Sequence, residues 1–296
     1  MTNGTSEDNP PQWASTVWLA VYVTECIMIF TINGVTLFAF ARNHRLRKRT
    51  TYLIINLTVA DLLVGVVAEP IDLCYPQIET GSILQRLVIL ILYNMFPVSS
   101  LINLSLIALE RLHATLYPFR HCLIEKTFYF KTIFCSWLLT LLLSSVLSVS
   151  LLYESMAGTN RYIWISHIAL TVLILITSYV IIIVNIKNNP PPLPFGTLSS
   201  DKKISATLSM VTVVSILTIL PYAVYAVIPG GKRKQLSKMT QFHIRNVLYV
   251  LYYASSLVNP LIYAIRMKEF RNALKDLICK RDPGSSRVQI IELHAM

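Results

Sequence analysis

The sequence predicts an all-α membrane protein, a bundle of seven transmembrane helices followed by a short helix on the membrane surface. Three observations lead to this prediction. Of the 296 residues, 54% are hydrophobic and only 14% are charged, whereas a soluble domain carries about 25% charged residues. The mean hydropathy is +0.56. The chain is divided into seven apolar runs, each close to the roughly 20 residues that a helix needs to cross a bilayer.

The apolar runs follow one another with only short connections. Backbone groups in lipid must form their hydrogen bonds within their own segment, so each run predicts a helix. The runs fall at about 16–41, 51–74, 83–109, 130–152, 162–186, 204–228 and 242–265. The connection 188–200 contains four prolines and is predicted to be stiff and non-helical. The chain therefore divides into an extracellular N-terminus (1–15), a seven-helix bundle (16–265) and a cytoplasmic surface helix with its tail (266–296).

The surface helix is predicted from Met267 to Cys279. Apolar residues recur there at helical spacing, and Lys268, Arg271 and Lys275 occupy the opposite face, which is typical of a helix lying on a membrane. Cys279 would lie at the membrane surface and is a candidate for palmitoylation. A buried, unmodified thiol is the alternative for this cysteine.

Basic residues indicate how the bundle is oriented. With the N-terminus outside, 19 of the 26 Lys and Arg residues lie on the cytoplasmic side, as the positive-inside rule requires. Asn3 begins an Asn-Gly-Thr glycosylation sequon on the outer side. The predicted location is the plasma membrane, with the C-terminus in the cytoplasm. The net charge of +11 is thereby explained by contact with membrane lipid, and no nucleic-acid partner is expected.

Ionisable residues inside the apolar runs indicate function, because each costs about 2.5–3.5 kcal/mol at the bilayer centre. Asp61 lies midway along the second run, and Glu110-Arg111 closes the third. The seventh run ends in Asn259-Pro260, where the proline frees a backbone carbonyl and permits a hinge. A proline in the sixth run has the same effect. A kinked helix contains a hinge, and a hinge is useful to a protein that switches between conformations.

Each apolar run also contains one motif. In chain order the motifs are Asn33, Asn56 with Ala60-Asp61-Leu62, Glu110-Arg111-Leu112, Trp137, Tyr179, Leu220-Pro221-Tyr222 and Asn259-Pro260-Leu261-Ile262-Tyr263. This ordered set resembles the rhodopsin-like (class A) G-protein-coupled receptor family over nearly the whole chain. The resemblance implies a receptor and not an enzyme. Its expected partners are an extracellular ligand of unknown class and a heterotrimeric G protein.

The resemblance implies a switch at the inner end of the bundle. Arg111 would pair with Glu110 and with an acidic residue at the base of the sixth helix until outward movement of that helix exposes Arg111 to the G protein. The residues assigned to the switch are Glu110, Arg111, Asp201, Tyr179, Tyr263, Asn259, Pro260 and Pro221. An arginine anchored among lipid headgroups is the alternative for Arg111.

The resemblance also implies an allosteric sodium site and no other metal or cofactor. Its four residues would be Asp61, Ser100, Ser256 and Asn259, which supply the oxygen ligands that a hard cation prefers. The alternative is an Asp61 that carries a proton within a polar network.

A ligand pocket is expected among the outer halves of the helices. Glu69 and Asp72, three residues apart, share a helix face and would hold a cationic group, and Glu25 lies in the outer part of the first helix. The candidate pocket residues are Glu69, Asp72, Tyr93, His167, Tyr222, Tyr249 and Tyr253. The basic outer segment 232–234 would favour an acidic ligand instead, although a solvated loop is the simpler interpretation of its charge, so no ligand class is assigned.

The chain departs from the family pattern at several positions. Arg86 replaces the cysteine that the family bonds to the second outer loop, Thr171 replaces the helix-five proline, and Ile219 replaces the helix-six tryptophan. Loss of the disulfide and of the proline is similar to melanocortin-like receptors. Two other functions stay open, a seven-helix transporter or channel and a decoy receptor that binds its ligand without coupling.

Overall fold

A computed structural model of the protein describes residues 11–43, 46, 51–78, 81–153, 157–188, 213–225, 227–228, 236–266 and 268–278. Within these ranges the regular secondary structure is helical. Three residues with predicted roles, Asn3, Asp201 and Cys279, lie outside the described residues.

The described chain contains seven apolar helices, called helices one to seven in chain order. They are Gln12–Arg42 (one), Thr51–Leu63 with Glu69–Ile78 (two), Ile83–Leu116 (three), Lys126–Leu152 (four), Ala157–Asn188 (five), Val213–Tyr225 (six) and Lys238–Arg266 (seven). Six are long and apolar enough to cross a membrane, and the described part of helix six is shorter but also apolar. The prediction of an all-α membrane bundle is confirmed.

Several helices extend beyond the apolar runs that predicted them. Helix three continues past residue 109 to Leu116, and a short loop helix, Pro118–Cys122, follows it. Hydropathy marks only the part of a helix that crosses hydrocarbon, whereas backbone hydrogen bonding continues into the headgroup region. Pro97, a potential break in helix three, lies inside one continuous helix. The surface helix is present at Lys268–Ile278.

Helix three begins at a capping box instead of a disulfide tether. The Ser82 hydroxyl accepts a hydrogen bond from the Gln85 backbone amide at 3.4 Å, and the Gln85 side chain accepts one from the Ser82 amide at 3.0 Å. These two bonds satisfy backbone donors that a helix start leaves unpaired. The cysteines among the described residues form no disulfide bond with one another, and Arg86 stands where the family has the cysteine of the outer disulfide.

Helix two is interrupted by a π-helical turn at Val64–Ala68. Gly65 in this turn lies against helix one so closely that a Cβ atom there would be 2.6 Å from Ile29 Cγ2 and 3.3 Å from the Cys26 carbonyl oxygen. Glycine is therefore required by the approach of the two helices. The turn fixes which side chains of the outer half of helix two face helix one.

The bundle buries its polar residues and presents apolar residues outward. Helix four illustrates this, because Thr140 and Ser144 are fully buried while Phe134 and Leu142 are exposed. A helix whose apolar side faces outward is expected in lipid. At the inner end, Phe270 of the surface helix is buried with its ring centroid 5.5 Å from that of Phe40. The surface helix is therefore packed on the ends of helices one and seven.

Candidate functional site

Asp61 lies at the centre of the bundle, where its side chain is fully buried. The Ser100 hydroxyl donates a hydrogen bond to Asp61 Oδ1 at 2.7 Å, and the Asn259 amide donates one to Oδ2 at 2.6 Å. Ser256 is buried beside the same carboxyl group. A buried carboxylate is costly unless donors satisfy it, so these contacts join helices two, three and seven at one point.

A small cavity adjoins this cluster and is just large enough for a single water molecule. Ser100 and Ser256 both line the cavity, together with Ile219 at the position of the missing tryptophan. The structure thus brings the four residues of the predicted sodium site together and places two of their hydroxyl groups at a space of suitable size.

Hydrogen bonds extend this network to helices one and six. The Asn33 amide donates to the Ser256 carbonyl oxygen at 3.2 Å. The Ser215 hydroxyl of helix six lies 3.5 Å from Asn259 Oδ1, at the limit of a hydrogen bond. Asn259 therefore holds helix two firmly and helix six weakly.

A second polar chain links helices two, three and four. The Asn56 amide donates to Asn103 Oδ1 at 2.6 Å, and the Trp137 indole donates to Asn56 Oδ1 at 2.9 Å. Asn56 and Trp137 were singled out in the sequence, but Asn103 was not. An asparagine inside an apolar run is a usable signal, although it does not reveal its partner.

At the inner end of helix three, Arg111 is buried and paired with Glu110. Arg111 Nη2 donates to Glu110 Oε1 at 2.7 Å. The same oxygen lies 2.9 Å from His121 Nε2 and accepts a bond from the Tyr129 hydroxyl at 3.2 Å. His121 comes from the loop helix and Tyr129 from helix four. Sequence reasoning missed both, because neither belongs to a motif and nothing in their spacing connects them to Glu110.

The other residues assigned to the switch lie on helices five, six and seven. Tyr179 and Tyr263 are buried and close enough to interact electrostatically. Within the described part of the chain, the Tyr263 hydroxyl has no hydrogen-bond partner. Pro221 and Pro260 each lie within a continuous stretch of helix. The proposed contact of Arg111 with Asp201 involves a residue outside the described ranges.

Most of the expected pocket residues form one aromatic cluster at the other end of the bundle. Asp72 of helix two lies beside the Tyr93 hydroxyl of helix three, with Arg245 of helix seven nearby. The Tyr249 and Tyr253 rings are stacked with their centroids 6.5 Å apart.

Tyr222 extends the aromatic cluster to helix six. Its ring centroid lies 5.5 Å from that of Tyr249 and 5.2 Å from that of Tyr252. Trp164 packs edge-on against Tyr252 and also contacts His167, at centroid distances of 6.2 Å each. Helices two, three, five, six and seven therefore all contribute side chains to this part of the bundle.

Glu69, in contrast to Asp72, belongs to the interface with helix one. It is fully buried beside Glu25. The two acids that the sequence placed on one helix face thus lie in different surroundings.

The described chain has seven apolar helices, a buried polar core and a paired arginine at one end. This combination is typical of a seven-helix membrane receptor. The family model "7 transmembrane receptor (rhodopsin family)" matches residues 32–263, which is more than half of the chain. The chain belongs to this family of multi-pass membrane proteins.

Individual relatives are distant. The chain is 24% identical to lysophosphatidic acid receptor 3 of Rattus norvegicus, over 94% of this chain and 83% of that protein. It is 23% identical to the substance-P receptor of Meriones unguiculatus, over 93% of this chain and 74% of that protein. A shorter match, 32% identical, joins 40% of the chain to 30% of neuropeptide FF receptor 2 of Mus musculus. These relatives are receptors and not enzymes.

Proposed function

We propose that the protein is a plasma-membrane receptor that binds an extracellular ligand and activates a heterotrimeric G protein when helix six moves outward. The N-terminus is extracellular and the C-terminus cytoplasmic. The observation that carries the proposal is the buried Arg111, held by Glu110 at the inner end of helix three. A buried ion pair of this kind contributes little to stability but fixes how the helices are arranged. It is therefore suited to a contact that is broken during activation.

The polar network joins helices two, three and seven at a level between the aromatic cluster and this arginine. Asp61 bonds Ser100 on helix three and Asn259 on helix seven, and Asn259 meets Ser215 of helix six at only 3.5 Å. Helix six is thus the member of this network that separates most easily. Movement of helix six would open the space beside Arg111 into which the G protein inserts.

A sodium ion beside Asp61 would find the hydroxyl oxygens of Ser100 and Ser256 at the small cavity, next to the carboxylate that Ser100 bonds. Asp61, Ser100 and Ser256 would hold the ion, with Asn259 beside them, and its charge would stabilise the resting arrangement. Sodium-dependent thermal stability that disappears in Asp61→Asn would support this assignment. Stability that is independent of sodium would favour a protonated Asp61.

The ligand is proposed to bind over the aromatic cluster of Tyr93, Tyr222, Tyr249 and Tyr253, beside Asp72. The relatives are named for a lysophospholipid and for neuropeptides, so they favour no single ligand class. Asp72 favours a cationic group, and neighbouring Arg245 favours an acidic one.

The test is G-protein activation in cells that express the wild type, Arg111→Ala or Arg86→Ala at matched surface levels. Arg86 lies at the other end of helix three and serves as the control. We expect basal or ligand-library-induced signalling in the wild type and Arg86→Ala, and its loss in Arg111→Ala. Signalling that survives in Arg111→Ala would contradict the mechanism. Ligand binding without coupling to any G-protein class would indicate a decoy receptor, and solute flux would indicate a transporter.

A further inference from the structure

Two carboxyl groups face each other between helices one and two, outside the polar network described above. Glu69 is 0% exposed and Glu25 is 6% exposed. All four of their carboxyl oxygens are buried without a hydrogen-bond partner of good geometry among the described residues. The Cys26 thiol, a weak donor, lies beside Glu69. The two groups interact with each other directly.

The backbone explains why these two side chains meet. Gly65 of helix two lies against Ile29 of helix one, and consecutive helices of the bundle run in opposite directions. Glu25 precedes Ile29 by four residues and Glu69 follows Gly65 by four residues. Four residues are about one helical turn, so both acids lie one turn beyond the closest approach of the helices.

No cation compensates the pair within the described chain. The titratable groups beside it are the Cys26 thiol on helix one and Asp72 on helix two. Tyr22 of helix one lies near both acids. On the other elements packed here, Tyr93 of helix three and the exposed Arg245 of helix seven act on Asp72. These neighbours supply no positive charge to Glu25 or Glu69.

Two carboxylates in one buried site cannot both be ionised without a cation between them. A metal ion would need more oxygen or nitrogen ligands, and the described residues contain no group of three or more His, Cys, Asp or Glu side chains that could hold one. A proton needs only the two facing carboxyls, because one becomes an O–H donor and the other accepts the bond.

We propose that Glu25 and Glu69 form a proton-binding site in which the two carboxyl groups share a proton and thereby hold the outer halves of helices one and two together. Loss of the proton leaves two like charges in contact and pushes the helices apart. Helix two carries Asp72 close to Tyr93, so the packing of the proposed ligand region becomes dependent on pH. The proton-binding site itself requires neither a ligand nor a G protein.

The test is the apparent melting temperature of the purified, full-length receptor in lipid nanodiscs, measured from mildly acidic to mildly alkaline pH. A proton that the folded state holds and the unfolded state releases stabilises the fold at low pH, and this stability is lost as pH rises. We expect the wild type to lose at least about 2–4 °C across the range. The double variant Glu25→Gln/Glu69→Gln should lose the part of this slope that the pair contributes, because its amides cannot titrate.

Two matched variants isolate the effect of the pair. Asp72→Asn removes a neighbouring acid on the same helix and should keep the slope, and Asp61→Asn measures what the central acid adds. An unchanged slope in the double variant would overturn the proposal. Stability of Asp61→Asn that still follows sodium concentration at constant pH, and not pH itself, would also overturn it, since a metal cation would then occupy the pair.

A second measurement covers the case in which the double variant does not fold. The infrared spectrum of the wild type should contain the carbonyl band of a protonated carboxylic acid that shifts in heavy water and disappears at alkaline pH. The single variant Glu69→Gln should change the frequency or the amplitude of this band, because the facing carboxyl group is gone, whereas Asp61→Asn should leave the contribution of the pair unchanged. A wild type without the band, or a Glu69→Gln variant that retains it unchanged, would exclude the shared proton. Neither measurement depends on signalling, so the receptor proposal and the proton site can fail separately.

Discussion

At the scale of single residues, the environment of Glu110 distinguishes this receptor's inner end. The carboxyl group receives Arg111 from its own helix, His121 from the loop helix and Tyr129 from helix four. A carboxylate with several donors is fixed in one orientation. The loop helix and helix four therefore hold the Glu110 carboxylate in place beside Arg111. Changes in the loop helix should alter the proposed switch.

Replacing His121 with phenylalanine should raise basal G-protein activation. The substitution removes one partner of Glu110, and a hydrogen bond to a charged group contributes about 1.5 kcal/mol, roughly tenfold in the ratio of resting to active receptor. His113→Phe is the matched control, because His113 packs against the His121 ring at 5.8 Å without bonding Glu110. The measurement is basal G-protein activation of both variants at equal surface expression. Equal activity in the two variants would contradict a role for the contact between His121 and Glu110.

At the scale of secondary-structure elements, the contact between helices one and two is set by a single glycine. The π-helical turn of helix two brings Gly65 onto Ile29 and Cys26 of helix one. The same turn rotates the outer half of helix two, so that Glu69 faces helix one while Asp72 approaches Tyr93 of helix three. One irregular turn thus separates a proposed proton site from a proposed ligand region.

Gly65→Ala should destabilise the receptor by about 1–3 kcal/mol, because the added methyl group would lie 2.6 Å from Ile29 Cγ2. Gly158→Ala in helix five is the control, since beyond the local helix no atom of the described residues lies within 4 Å of a Cβ there. Melting temperatures of the two variants test the prediction. In a double-mutant cycle, Ile29→Ala should cost less in the Gly65→Ala background than in the wild type. Additive effects would argue that Gly65 and Ile29 do not compete for the same space.

At the scale of the whole molecule, charge distribution and polar burial determine how the bundle lies in the membrane. Nineteen of the 26 Lys and Arg residues fall on one side, and six described helices are long and apolar enough to span. The hydrogen bonds of Asp61, Asn56 and Asn33 join helices one, two, three, four and seven through their interior. Orientation thus depends on the loops, and packing depends on a few buried polar residues.

Epitope tags at the two ends should test this orientation. An N-terminal tag should be stained on intact cells, and a C-terminal tag only after permeabilisation, because the basic side remains in the cytoplasm. Asn3→Gln should remove any shift in gel mobility that a glycosidase produces in the wild type. A C-terminal tag that is accessible on intact cells would contradict the assignment.

The sequence by itself determined the class, the seven apolar helices and the position of the motif residues along them. Hydropathy and helical spacing are local properties of the chain, so they can be read directly from the amino-acid sequence. Asp61, Glu110 and Arg111 could be singled out because charge is rare inside apolar runs. The partners of Glu110 and Asn56 could not be found in this way, because they come from other elements at separations that follow no period.

Only the tertiary structure decided which polar residues meet. His121 and Tyr129 reach Glu110 because the loop helix packs against helix three and brings His121 beside Tyr129 of helix four. Glu69 meets Glu25 because a π-helical turn changes the direction of its side chain. In the sequence, Glu69 and Asp72 share one regular helix face. The hydrophobic periodicity of the sequence does not reveal a single extra residue in a helical turn. That residue nevertheless rotates all later side chains of helix two about the helix axis. Contacts between helices depend on this rotation as well as on position along the axis.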